Sequence, residues 1–397
     1  MNRAPSLLTA ALGSLRIALI CILVVGIPCV AHAGKTVKDL PEWLRTAMSR
    51  PVGDFAKDAA AVRIVNWTNT QYEVDGTESS EVRSATRILT MDGAEFAEAS
   101  IIFNRKSDTI RDLKAWLVLP NGEVRQYSDK DFLSHEAGDY STLFTERWRR
   151  SFSFRNAVKP GCVVAWTYKI RGRSQFGEDF FFVREKCPIL ESTVRIKVPA
   201  GWSVRSVPVN SPQVTEQFDG TTYTLVSTEQ PGIKPEALTP RGTTFPRMDT
   251  CVVPSARDRE RSRLFVYDDW NSLARFDVGM NDPQAVPDDA IRAKTAELVA
   301  GCDTLWKKIS AICAYVQSVN YIAIGKNLAA GGGLKPNSAA AVFAHNYGDC
   351  KDKTALLRAM LSCIGVQSYA TACLASYDST VNPGFPSPCN FNHCIAA

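Results

Sequence analysis

A chain of 397 residues, 45% hydrophobic and 22% charged, is long enough for two or three domains and apolar enough to bury a sizeable core. Its net charge of +5 falls to +3 without Arg3 and Arg16. That near-neutral balance gives no support to nucleic-acid binding.

The first 33 residues read as a signal peptide. Arg3 and Arg16 precede an apolar run from Ile17 to Val25, and Ala31-His32-Ala33 forms a cleavage pattern before Gly34. Gly26 and Pro28 interrupt the run as a spanning helix, which leaves an uncleaved anchor as the alternative. Cys21 and Cys29 follow Ile20 and Pro28 rather than the small residue that precedes a lipid-attachment cysteine. No later segment reads as membrane-spanning, so the mature chain is expected to be periplasmic or secreted, cleaved after Ala33, with no span of its own. Ten cysteines remain after cleavage. In an oxidising compartment some are expected to pair, although spacing alone does not fix the pairing.

A short helix is expected around Pro41 to Met48, then a β-rich domain over residues 60–230. Glu81 to Met91 runs to the turn pair Asp92-Gly93, and Ala99 to Phe103 reads as the return strand of a hairpin. Leu113, Ala115, Leu117 and Leu119 alternate with Lys114, Trp116 and Val118 before Pro120-Asn121-Gly122. Val163 to Ile170, Val194 to Val198 and Thr221 to Val226 add further strands, a pattern that suggests an antiparallel sandwich. Arg147, Arg149, Arg150 and Arg155 interleave with Trp148, Phe152 and Phe154. Strand alternation, with arginines on the wet face, explains that cluster better than a polyanion patch.

Residues 231–263 read as a linker, with five prolines and the charged run Arg257-Asp258-Arg259-Glu260-Arg261. Helices follow in a region spanning 264–397. Trp270, Leu273 and Phe276 share one face; Ile291 and Leu298 mark a second helix. Leu305, Ile309, Ile312 and Val316 mark a third behind Asp303 as its cap. Gly331-Gly332-Gly333 lacks the Lys-Ser/Thr ending of a phosphate loop and reads as a flexible loop beside a cleft. Pro336-Asn337-Ser338 starts a short helix through Phe343.

The chemistry centres on Tyr347-Gly348-Asp349-Cys350-Lys351-Asp352-Lys353-Thr354. Leu356, Leu357, Met360, Leu361 and Ile364 continue it at helical spacing, with Gly365 at the C-terminal cap position. Cys350 is thereby placed in the first turn of a buried helix, where free backbone N–H groups and the helix dipole favour a thiolate. A thiolate nucleophile needs a base. His135 falls in the β-rich region and His345 at a helix end before the turn. His393 sits on a strand that follows Gln367 to Leu374 and a proline-rich loop, and is the residue chosen as base. Cys389, His393 and Cys394, with Cys363 and Cys373, lack the paired spacing of a structural zinc site. No metal or cofactor is expected.

Gly348-Asp349-Cys350-Lys351-Asp352-Lys353 before a leucine-rich helix, with Phe391-Asn392-His393 on a later strand, resembles the transglutaminase-like superfamily. The branch it is similar to carries an N-terminal β-rich module called DUF3857. The Pro120-Asn121-Gly122 turn and Pro160-Gly161 before a Tyr-containing strand look like landmarks of that module. The resemblance covers roughly residues 60–397 and implies an α+β fold: an antiparallel β-sandwich-like domain followed by a papain-like core. It implies Cys350 as nucleophile and His393 as base. The family's acid follows the His on the next strand. The sequence given stops at Ala397, so the core reads as C-terminally incomplete, with truncation of a longer protein favoured over an impaired gene product. Asp378 lies on the wrong side of His393 to serve. The Cys350 N–H would be one oxyanion donor, with Tyr321 or Asn327 as side-chain candidates.

The implied activity is that of an exported thiol enzyme acting on peptide or carboxamide bonds through an acyl-enzyme, by hydrolysis or acyl transfer. The alternative is a non-catalytic scaffold that binds a cell-envelope protein and carries a degenerate core.

Overall fold

The computed structural model describes residues 35–138, 142–173, 175–234, 245–325, 333–375 and 380–397. The expected leader, Asn327, Gly331, Gly332 and Asp378 lie outside them.

The β-rich part is organised by a large sheet. Across it run β1 (Lys35–Thr36), β6 (Glu123–Ser128), β5 (Thr109–Val118), β10 (Val163–Arg173) and β3 (Thr77–Ile88). Then come β2 (Ala61–Tyr72), β12 (Ile189–Lys197), β15 (Thr222–Gln230) and β14 (Thr215–Phe218). Neighbours are antiparallel except β2 and β12, which pair in parallel. On one face, Leu113, Ala115 and Leu117 of β5 join Ile101 and Phe154 in a core covered by β4 (Glu98–Asn104), β9 (Arg147–Ser153) and β7 (Leu133–Glu136). On the other face, Trp116 and Val118 pack on Leu44 and Ala47 of α1 (Glu42–Ser49). β5 is therefore apolar on both sides at its end, because both sides are roofed. Phe152 and Phe154 join the core, and Arg147 and Arg149 alternate with Trp148, but Arg150 shares the Phe152 side of β9, where it reaches Asp129 and lies over the Phe103 ring.

A third sheet, β11 (Glu178–Phe182), β16 (Arg247–Val253) and β13 (Ser203–Val209), encloses another core against β12 and β15. Its central strand lies within the stretch expected as linker. Residues 247–252 are all buried. The flanking prolines made the segment look open, but its apolar residues and the ion-paired Arg247 and Asp249 serve as a strand interior. The Asp92-Gly93 hairpin also gives way. Met91–Phe96 is a 3₁₀ helix and β4 pairs with β9, not β3. Gly93 is required because a Cβ there would meet the Ala60 carbonyl oxygen at 2.2 Å.

The helical part contains α2 (Arg259–Ser262), α3 (Trp270–Asn281), α4 (Asp289–Val299), α5 (Leu305–Ser318), α6 (Ala339–His345) and α7 (Cys350–Cys363). Caps set most of the starts. Asp269, Asp288 and Ser338 accept first-turn N–H bonds, and Thr304 rather than Asp303 caps α5. Asp303 instead pairs with Lys307. Leu356, Ala359 and Met360 of α7 form the centre of a core with Ile291, Ile312 and Val342. Gly365 closes α7 with φ +74°, and the Val366 N–H reaches back to the Leu361 carbonyl. The short strands β17 (Asn320–Tyr321) and β19 (Tyr347–Gly348) pair in parallel, as do β18 (Ala323–Gly325) and β8 (Thr142–Thr145). β20 (Ala370–Cys373) and β21 (His393–Ala396) are antiparallel. The protein is thus α+β, with a β-rich N-terminal region followed by an α+β region. Among the described residues no helix is long and apolar enough to cross a membrane. The ten described cysteines are unpaired.

Candidate active site

The start of α7 is fixed by the acids that flank Cys350. Asp349 is the N-cap, and its carboxylate accepts the Asp352 N–H at 3.4 Å. Asp352 is 4% exposed and accepts three N–H bonds: from the Asn337 backbone at 2.7 Å, from the Asn337 side chain at 3.0 Å and from Asp349 at 3.3 Å. Lys351 pairs with Asp349. Lys353 donates to the carbonyls of Val319 at 2.7 Å and Gln317 at 3.1 Å, which tethers α7 to the C-terminal end of α5. Gly348 lies so close to Asp352 that a Cβ would meet its Cβ at 2.6 Å. The residues around Cys350 thus hold the helix start rigid, and Cys350 itself is half-buried.

Parallel pairing of β17 with β19 sets Tyr321 opposite Gly348. Tyr321 is 46% exposed, and its hydroxyl lies close enough to Cys350 to feel the charge of its thiolate. Burial, then the negative charge of a Cys350 thiolate, pushes the Tyr321 hydroxyl up to about 12. It stays protonated and can donate.

β21 runs beside the same helix face. Thr354, one turn after Cys350, donates through its hydroxyl to the Cys394 carbonyl at 3.3 Å. The Cys394 thiol is pushed up to about 11, by burial first, with the charges of Cys350, Asp277 and Cys373 adding to it. His393 is half-buried on this strand, in register with Cys373. No hydrogen bond joins its imidazole to Cys350 or to another described residue. The rest of its motif is anchored: Asn392 accepts the Ala375 N–H at 2.7 Å, and Phe391 meets Trp270 edge-on at 6.0 Å. His345 is exposed and stacked on Tyr347, and His135 is exposed on β7. A cleft of about 570 Å³, lined by residues including Ile322, Lys335, Ser338, Tyr347 and Asp349, opens beside the helix start.

The loop leading to β21 is docked on the β-rich part and on α3. Asn382 donates to Asp249 at 2.8 Å, Trp270 donates to the Pro383 carbonyl at 2.7 Å, and fully buried Ser387 donates to Glu178. Burial raises the Glu178 carboxyl to about 7, with Ser387, Cys389 and Arg205 opposing and Asp249 adding to the rise. Cys389 is exposed to solvent beside this carboxyl. Sequence reasoning missed this junction and the approach of Cys394 and Asp277. These groups are 40 to 209 residues from their partners, and no local pattern marks them.

The fold and this geometry define an α+β protein whose β-rich region precedes a helix-borne cysteine and a strand-borne histidine. Residues 74–234 match the family described as a domain of unknown function with solved structure, DUF3857. A "putative protease" from Parabacteroides distasonis superposes with a TM-score of 0.64 at 14% identity, over 85% of this chain and 65% of that one. The chain therefore spans less than two thirds of that protein, and the likeness establishes shared fold. An M1 zinc metallopeptidase from Deinococcus radiodurans aligns over 49% of this chain and 42% of that one at 12% identity, with a TM-score of only 0.25. That likeness carries no argument. No curated protein matches the chain in sequence.

Proposed function

We propose that the region from α3 to β21 is a transglutaminase-like thiol core, and that the protein acts on peptide or carboxamide bonds through an acyl-enzyme on Cys350. The observation that carries this reading is the placement of Cys350 at the first turn of α7, with Tyr321 paired opposite Gly348 and the strand of His393 held to the same helix by the Thr354–Cys394 bond. In this reading the thiolate attacks the carbonyl carbon and the carbonyl π electrons move onto oxygen. Tyr321 and the Cys350 N–H receive that oxyanion. His393 takes the thiol proton and returns it to the leaving amine as the C–N bond breaks. Water or a second amine then releases the acyl group. The leader-like segment ending at Ala33 supports an exported chain. The protease-like neighbour supports a peptide substrate at the level of fold.

A second reading is a non-catalytic envelope-binding protein. Iodoacetamide labelling separates the two. The enzymatic reading expects Cys350 to label faster at pH 7 than Cys302 or Cys313. It also expects His393→Ala to slow that labelling at least tenfold. Labelling no faster than those thiols would support the scaffold.

A further inference from the structure

The face of the large sheet that carries α1 is roofed only at one end. Beyond Trp67 and Arg83 the outward residues of five adjacent strands are polar. Strand pairing sets them in cross-strand rows. One row runs Arg195, Asn69, Glu81, Lys169, Arg111; the next runs Lys197, Gln71, Ser79, Arg171, Thr109. Lys114 continues the basic edge on β5, and the surface dips into a depression of about 340 Å³ over β2, β3, β10 and β5.

Cations dominate this face. Arg111, Lys114, Arg171, Arg195 and Lys197 are exposed and have no ion-pair partner among the described residues. Lys169 is paired with exposed Asp112 at 3.2 Å, and Glu81 is held by Arg83 at 2.7 Å. The concentration of charge is local, because the whole chain carries only +5. The cations form two groups, on β12 and on β10–β5. Three strand spacings, about 14 Å, separate β12 from β10. Between them lies a strip of hydrogen-bonding side chains, Asn69, Gln71 and Ser79, together with Glu81, whose carboxylate is paired with Arg83. At the roofed end Trp67 carries the Arg83 guanidinium over its ring at 4.4 Å, beside Trp43.

We propose that this open sheet face binds an acidic polysaccharide strand. Carboxylates spaced along the polymer meet the two cation groups. Its hydroxyls meet the amide and hydroxyl strip between them, and a sugar ring packs against the tryptophan edge. The mixture of separated cations with neutral hydrogen-bonding groups favours a uronate chain over a nucleic acid, whose phosphates follow one another without such neutral spacing. The charges also favour it over a neutral glycan. This inference does not depend on the proposed thiol chemistry.

The test uses the full-length chain carrying Cys350→Ala and titrations of hexagalacturonate, maltohexaose, hexaglutamate and an oligothymidylate at 50 mM and 200 mM salt. Hexagalacturonate is expected to bind at low salt, to weaken at least fivefold at 200 mM, and to bind at least fivefold more tightly than the other three. Arg195→Ala with Lys197→Ala is expected to weaken it at least fivefold without changing the melting temperature, as is Arg111→Ala with Arg171→Ala. Absence of hexagalacturonate binding would overturn the proposal. So would insensitivity to both double variants, or equal or tighter binding of hexaglutamate, oligothymidylate or maltohexaose.

Discussion

Replacing Glu178 by Gln tests whether the β-rich part and the loop before His393 are coupled by a buried carboxyl. Burial is the main cause of its rise from 4.5 to about 7, and Asp249 adds to it. Ser387, Cys389 and Arg205 pull it back. Cys251 and Tyr267 feel the same charge from the neighbouring elements. The folded pKa lies above the unfolded one, so the fold prefers the protonated acid. Its stability contribution is full below about pH 4.5 and is lost as pH rises through 7. At 1.36 kcal/mol per unit, the shift corresponds to about 3 kcal/mol between those limits. The glutamine amide can still meet Ser387 but cannot ionise. Urea unfolding at pH 5, 6, 7 and 8 is expected to show the wild type falling behind the variant by up to about 3 kcal/mol, most of it between pH 5 and 8. Parallel pH profiles for the two proteins would refute the reasoning.

Three other outcomes are expected at the helix start. Asp352→Ala strands three N–H donors beside Cys350 and is expected to cost about 3 kcal/mol in urea unfolding, with Asp352→Asn recovering part of it. Gly348→Ala drives a methyl into Asp352 and is expected to cost about 2 kcal/mol and to slow Cys350 labelling. Tyr321→Phe removes the hydroxyl next to Cys350. It is expected to lower amide turnover about 100-fold while iodoacetamide labelling of Cys350 persists, since alkylation builds no oxyanion.

Elements with a local cause were legible in the sequence. The caps of α6 and α7, the Gly365 stop and the alternation of β5, β10 and β12 depend on residues a few positions apart. Pairing partners were not legible. β4 left its apparent hairpin mate for β9, about fifty residues away, and packs with Phe154, Tyr127 and Ile88 of β3 in one core. β16 was hidden because prolines on both sides read as linker, whereas its burial comes from β11 and β13 on either edge. Within the candidate site the sequence marked Cys350 and His393. Tyr321 was only a candidate in the sequence, and its place opposite Gly348 comes from the pairing of β17 with β19, while Asn327 lies outside the described residues.

The run around Cys350 divides its labour in a way the sequence alone does not reveal. Asp349, Lys351, Asp352, Lys353 and Gly348 are all consumed by capping, pairing or close packing. Only Cys350 is left without a structural duty, and Tyr321 is the group that faces it. His393 stands differently. Its strand reaches α7 through the Thr354 bond to Cys394, while the loop that delivers it is tied to β11 and β16 through Ser387 and Asn382. The position of the histidine is therefore set jointly by the helix and by the β-rich region. Under the proposed thiol reading, a change at Glu178 or Asp249 is expected to disturb the loop that delivers His393 and thereby to slow Cys350 labelling without touching either residue.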